Sequence, residues 1–249
     1  MIGPMTGTSG LDSVTRRMRT VAGRALDAAF PAECVGCGRD GSAMCPACAT
    51  ALDARLQAPA GVPIGMPGEI PAPLLQLEWC APFHGVVRPA LHAIKYASER
   101  RLAEPLGAAI ARRWQRVGIG ADLVTNVPVH AERARQRGYD QAELIARVAA
   151  HELGLPFAPL LERRRATTAQ FDLDRRHRAA NVRGAFSARA PRSRPGRHGP
   201  TPDDLRIEDR WILLIDDVVT TGSTLAACAV ALEEAGALAV SAITVARER

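Results

Sequence analysis

The stretch Trp211-Ile-Leu-Leu-Ile-Asp-Asp-Val-Val-Thr-Thr-Gly-Ser-Thr-Leu225 limits what this chain can become more than any other. Trp211 to Ile215 is an unbroken apolar run of the length and β-branching expected of a strand buried on both faces. Asp216 and Asp217 close the run, a small hydroxyl-rich loop follows, and Leu225 to Gly236 reads as an Ala-rich helix. A helix N-terminus presents unpaired N–H groups and the positive end of a dipole, which suits a phosphate. Gly222 lets the backbone approach an anion, and the Thr and Ser hydroxyls add donors. Ionised Asp accepts from vicinal hydroxyls, so the ligand of such a site is a sugar phosphate. A strand ending by chance in two exposed Asp explains the acidic pair but not the loop behind it.

On these residues, Ile212 to Thr224 resembles the ribose-phosphate motif of type I phosphoribosyltransferases. The resemblance implies that Asp216 and Asp217 bind the ribose hydroxyls of phosphoribosyl pyrophosphate. It also implies that Val218, Val219, Thr220, Thr221, Gly222, Ser223 and Thr224 wrap the 5′-phosphate. The fold it implies is α/β, a mainly parallel central sheet flanked by helices.

A second motif is Cys34-Val-Gly-Cys37 followed by Cys45-Pro-Ala-Cys48. Two tight knuckles supply four thiolates, which satisfy tetrahedral Zn²⁺ with no open position, as in a structural site. Iron can use the same ligands. The expected location is cytoplasmic, because Arg16, Arg17, Arg19, Arg24 and Asp27 break up any signal-peptide core and no apolar run is long enough to span a membrane. In that compartment cysteines favour metal over disulfides. Cys80 and Cys228 fall outside the pattern and read as buried apolar residues.

Between these motifs the pattern alternates strands and helices. Strands are expected over 74–83, 122–129, 155–163 and 237–245, and helices over 86–96 and 99–117, with another ending near Glu152. Arg133, Arg135 and Arg137 cluster just past the strand ending at Val129, where open α/β sheets bind ligands, so Arg133 and Arg137 are placed to meet a pyrophosphate. Lys95 is the sole lysine of the chain; it is long enough to reach a phosphate, but a surface role is the simpler expectation for it. Net charge is +6 at pH 7, which permits phosphate-bearing partners. Aromatic residues make up only 4%, which argues against an extended base-stacking platform.

Taken together, the four-cysteine knuckle, the segment Pro128…Arg133…Arg137-Gly-Tyr-Asp-Gln141, and Thr167…Gln170…Leu173…Arg178…Asn181…Ala185-Phe186 resemble the ComF (competence protein F) family. The resemblance implies a zinc module joined to a type I phosphoribosyltransferase domain. It further implies Mg²⁺ carried with phosphoribosyl pyrophosphate, and a closing loop that includes Thr167, Gln170, Arg178 and Asn181. Expected partners are single-stranded DNA and competence proteins, and a homo-oligomer is compatible with the pattern. Asp140 stands where the family has Asn, which places a negative charge near the pyrophosphate. The domain map expected is a tail with an amphipathic helix (1–30), the cysteine module (31–56), a Pro/Gly-rich linker (57–76) and the transferase-like domain (77–249), with a mobile basic insertion at 187–210. Two functions are compatible with this map: phosphoribosyl transfer to an acceptor, or a non-catalytic, ligand-responsive or DNA-binding module of the competence apparatus.

Overall fold

The computed structural model describes residues 32–60, 70–129, 131–163, 184–189 and 205–248. The amphipathic helix expected within 1–30, the Thr167–Asn181 loop and most of the basic insertion lie outside them. Four strands form a parallel sheet in the order β1-β6-β5-β2: β1 is Leu77–Pro82, β2 Leu123–Asn126, β5 Trp211–Val219 and β6 Ala239–Arg247. A parallel bridge from Val124 to Phe157 lengthens the β2 edge. Two short strands, β3 (Leu161–Arg163) and β4 (Phe186–Ala188), pair antiparallel beside it.

Both faces of the sheet are covered, which is why β5 and β6 read as continuous apolar runs. Leu213, Ile215, Ile243 and Val245 face one core, shared with helices α2 (Val87–Tyr96), α3 (Ala103–Val117) and α5 (Gln141–Leu153). Ile212, Leu214, Val240 and Ala242 face the other, shared with α6 (Ser223–Glu234). Helices α3 and α5 touch closely at Gly107, where a Cβ would stand 2.6 Å from Cβ of Val148. A larger residue there would force the pair apart.

The cysteine module packs onto the same core. Its short helix α1 (Pro46–Ala49) runs into a 3-10 turn, and its Ala32, Ala43, Met44 and Leu52 are buried with Cys80, Val87 and Leu91. Arg113 on α3, only 1% exposed, ties the module's exit to the sheet. It donates to Glu78 on β1 at 2.7 Å and to the carbonyls of Arg55 (2.7 Å), Ala58 (2.6 Å) and Pro59 (3.1 Å). The far end of the expected linker is also held, because the Leu75 N–H donates to the Val240 carbonyl at 2.9 Å.

Most element boundaries agree with the sequence expectation to within a few residues. The strand expected over 155–163 forms only at its end, as β3, with a single bridge at Phe157 ahead of it, and the other clear difference concerns β5. It does not stop at Ile215 but continues to Val219, because its register with β6 runs unbroken to the pair Val219 and Arg247. Two β-branched residues after the acidic pair make that continuation favourable. Arg133, Arg135 and Arg137, past the end of β2, lie on a short helix, α4 (Ala131–Arg137). Cys80 and Cys228 are buried as expected.

Candidate functional site

The carboxyl ends of β2, β5 and β6 converge beside the N-terminus of α6. There β5 passes into the helix through Thr220 to Gly222. Gly222 is the N-cap, with φ of +79°, and a Cβ on it would lie 2.8 Å from Cγ of Pro71. Left-handed backbone under a covering proline leaves room for glycine alone. Gly222→Ala is therefore expected to cost about 1–2 kcal/mol from the left-handed conformation, plus the displacement of Pro71, as read by urea unfolding. Within the loop, the Thr221 and Ser223 hydroxyls are 2.9 Å apart, and the Ser223 N–H points to Oγ1 of Thr221 at 3.4 Å. Thr220 is exposed, while Ser223 and Thr224 are half-buried in the first turn of α6.

Because β5 includes the acidic pair, Asp216 and Asp217 alternate across the sheet. Asp217 follows Leu213 and Ile215 toward α2 and α5, and Asp216 follows Ile212 and Leu214 toward α6. Asp217 is 6% exposed and receives two donors on one oxygen. Nζ of Lys95 lies 2.8 Å from its Oδ2, and Nε2 of Gln141 donates to the same atom at 3.0 Å. Lys95 therefore ends α2 inside the site rather than on the surface. Burial works against its charge, yet the Asp217 carboxylate, with Asp216 behind it, outweighs burial and raises the Lys95 pKa. Burial raises the Asp216 pKa well above the usual carboxylate range, and the charge of Asp217 adds to this.

Gln141 links this strand end to the Arg-Gly-Tyr-Asp-Gln segment. Nη1 of Arg137 donates to its Oε1 at 2.9 Å, and the Arg137 guanidinium also lies 5.0 Å from the exposed Tyr96 ring. Arg133 occupies the same helix one turn earlier. Tyr139 donates through its hydroxyl to the Ile94 carbonyl, which fastens the segment to α2. Asp140 is the N-cap of α5, accepting from the Glu143 N–H at 3.1 Å and from the Val129 N–H at 3.0 Å. Its charge thus engages backbone donors, and burial raises its pKa. Thr167, Gln170, Arg178 and Asn181 lie outside the described residues.

The second candidate site is the module. The sulfurs of Cys34, Cys37, Cys45 and Cys48 all lie within 4.8 Å of one another, and those of Cys37 and Cys45 are 3.7 Å apart. Four sulfurs held ~2.3 Å from one zinc ion would stand ~3.8 Å apart, so the cluster fits a tetrahedral ion. The sulfurs also compete for negative charge. The Cys34 pKa is lowered to about 6, mainly by the Cys45 N–H that points at its sulfur, and the Cys48 pKa is raised to about 12, mainly by its hydrogen bond with Cys34. A central cation would relieve that competition, since a coordinated thiol deprotonates outright. The cluster can hold a metal ion such as zinc. Gly36 lets it seat against the core: a Cβ there would meet Cγ2 of Val86 at 2.4 Å and the sulfur of Cys48 at 2.7 Å.

No protein-family model matches the chain. Among curated proteins it is similar to DNA utilization protein YhgH of Salmonella typhi, 27% identical over 213 residues, which is 79% of this chain and 87% of that protein. The same protein of Escherichia coli K12 is 27% identical over 83% of this chain and 85% of its own length. Competence protein F of Haemophilus influenzae is 29% identical over 130 residues, half of each chain. The likeness to the DNA utilization proteins thus extends along most of the sequence, and that to Competence protein F along half of it. Among solved structures, the chain is similar to a glutamine phosphoribosylpyrophosphate amidotransferase from B. subtilis, with a TM-score of 0.35 and 24% identity. That match covers 57% of this chain and 25% of the enzyme. Among the described residues, no helix is long and apolar enough to cross a membrane.

Proposed function

We propose that the protein binds phosphoribosyl pyrophosphate at the carboxyl end of β5 and transfers its phosphoribosyl group to an acceptor in a pathway of DNA uptake and use. The observation that carries the reading is the left-handed Gly222 cap, which turns an acidic strand end directly into a helix N-terminus. Ligands of open α/β sheets bind at such strand ends, and a helix N-terminus favours the 5′-phosphate. The DNA role is supported by the relatives named for DNA utilization and for competence.

In this reading Val218 to Thr224 hold the 5′-phosphate and Asp216 and Asp217 hold the ribose. As the acceptor bonds to ribose C1, the C1–O bond breaks and its electron pair leaves with the pyrophosphate; the acceptor's proton passes to solvent. The two Asp side chains stabilise positive charge developing on the sugar. Arg133 and Arg137, on α4 past the end of β2, are assigned to the pyrophosphate. Bound with the pyrophosphate, Mg²⁺ would supply charge that neutralises the leaving group. The module holds a structural zinc ion and, with the basic surface, meets single-stranded DNA or competence proteins.

Replacing both Asp216 and Asp217 by Ala should weaken phosphoribosyl pyrophosphate binding ~10-fold or more, since each lost charged hydrogen bond is worth ~1.5–3 kcal/mol. Calorimetry on the folded variant measures this, and unchanged affinity would place the ligand elsewhere. Release of pyrophosphate across a panel of nucleobase and amine acceptors tests the transfer itself.

A further inference from the structure

Lys95 and Asp217 form a closely spaced donor and acceptor in which each keeps capacity for a ligand. Both protein donors to Asp217, Nζ of Lys95 at 2.8 Å and Nε2 of Gln141 at 3.0 Å, fall on Oδ2. Its Oδ1 receives no hydrogen bond from the described residues. The ammonium has three N–H groups, Asp217 engages one, and the Lys95 side chain keeps 21% of its surface exposed. An open carboxylate oxygen therefore lies beside spare cationic donors at the strand end. The complementary ligand carries a hydroxyl next to an anionic group. Phosphoribosyl pyrophosphate has that arrangement, with its 2′-hydroxyl on the carbon adjoining the one that bears the pyrophosphate.

Resting on the sugar-phosphate reading above, we infer that Lys95 binds the pyrophosphoryl group while Asp217 accepts the neighbouring 2′-hydroxyl. Asp217 holds the ammonium in place before the ligand arrives, and Gln141, oriented by Arg137, keeps the carboxylate from turning. A structural ion pair alone is a poor reason for a lysine here. Removing such a pair from low dielectric and filling its volume with apolar atoms is often neutral or better for stability. Every other side chain counted among the basic residues is arginine. A compact ammonium fits beside a carboxylate already bridged by Gln141, where a planar guanidinium would compete for the same oxygens.

The test compares phosphoribosyl pyrophosphate with ribose 5-phosphate, which lacks the pyrophosphoryl group, by calorimetry in Mg²⁺. For Lys95→Met, affinity for phosphoribosyl pyrophosphate should fall ~10-fold or more, the worth of one charged hydrogen bond, while that for ribose 5-phosphate changes little. An equal loss for both ligands would make Lys95 a positioning residue for Asp217 only, and unchanged affinity for both would make it a counter-ion only; either overturns the inference. A second measurement avoids mutation altogether. ¹³C-labelled lysine gives a single side-chain resonance from Lys95, which should shift with phosphoribosyl pyrophosphate and with inorganic pyrophosphate but hardly with ribose 5-phosphate. A resonance that ignores both pyrophosphoryl ligands, while calorimetry shows them bound, overturns the role of Lys95 and leaves the sugar-phosphate reading standing. A wild-type protein that binds neither sugar phosphate defeats both.

Discussion

Protein purified without chelator is expected to carry one zinc ion per chain, and Cys45→Ser to carry almost none. Cys45 touches two of the other three ligands. Its sulfur stands 3.7 Å from that of Cys37, and its N–H points at the Cys34 sulfur from 3.3 Å. A serine oxygen is a hard, short ligand that cannot replace a thiolate in a four-sulfur set. Structural zinc in small modules contributes roughly 10–16 kcal/mol of apparent binding energy, which is folding energy when no site exists in the unfolded chain. The loss should not stay local, because Ala32, Ala43, Met44 and Leu52 share a core with α2 and β1. Elemental analysis should report the metal, and thermal unfolding should report a fall of ~10 °C or more, since each kcal/mol is worth ~2–4 °C in a chain of this size. Full stability without metal would mean that the cysteines merely pack. Iron in place of zinc would keep the site and change its ion.

How much of this was legible beforehand differs between the strands and the side-chain partnerships. The apolar run Ile212 to Ile215 announces a buried central strand, and its flanking helices follow from their periodicity. The end of β5 is hidden in the sequence because two carboxylates look like a terminus. Pairing with β6 carries the strand on to Val219 regardless, and the cost of burying polar side chains is met by Lys95 and Gln141. That extension matters chemically, because consecutive strand residues face opposite ways. The two Asp side chains therefore meet different surroundings, one against a lysine and the other against α6.

Lys95 shows the limit of local reading. It lies four residues after Leu91, on the margin of the buried stripe of α2 made by Val87, Ala90, Leu91 and Ile94. That spacing hints at an inward direction, yet its partner on β5 is far along the chain, and no local pattern names it. Gln141 likewise reaches Asp217 across 76 residues. The Asp140 cap is more readable, since Asp followed three residues later by Glu143 before an apolar run is the usual start of a helix. The cysteine spacing is the opposite extreme: both knuckles are local, so the sequence nearly dictates the cluster.

Arg113→Met is expected to destabilise the fold by about 3–5 kcal/mol, the range for removing one partner of a buried ion pair. The sequence carries a signal for this residue. Leu106, Ala109, Ile110, Arg113 and Trp114 are the i, i+3, i+4, i+7 and i+8 positions of one helical stripe, all buried. A guanidinium on an apolar stripe must find partners or unfold its surroundings. Its partners are Glu78, itself fully buried, and four backbone carbonyls on the segment leaving the cysteine module. Methionine fills similar volume but supplies no donor, so the Glu78 carboxylate would lose its closest charge and those carbonyls would lose theirs. Arg55 can compensate only in part, because its guanidinium is 3.6 Å from the carboxylate and stacks on Trp79. Urea unfolding of Arg113→Met should show the midpoint falling. Adding Glu78→Leu should restore much of it, since removing both charges also removes the uncompensated one. The two changes would then be strongly non-additive. If they simply added, Glu78 and Arg113 would be stabilising independently, and the main loss would lie in the carbonyls of residues 55–59. In that case limited proteolysis should cut first at the exit of the module, and the sheet should keep its protection against hydrogen exchange.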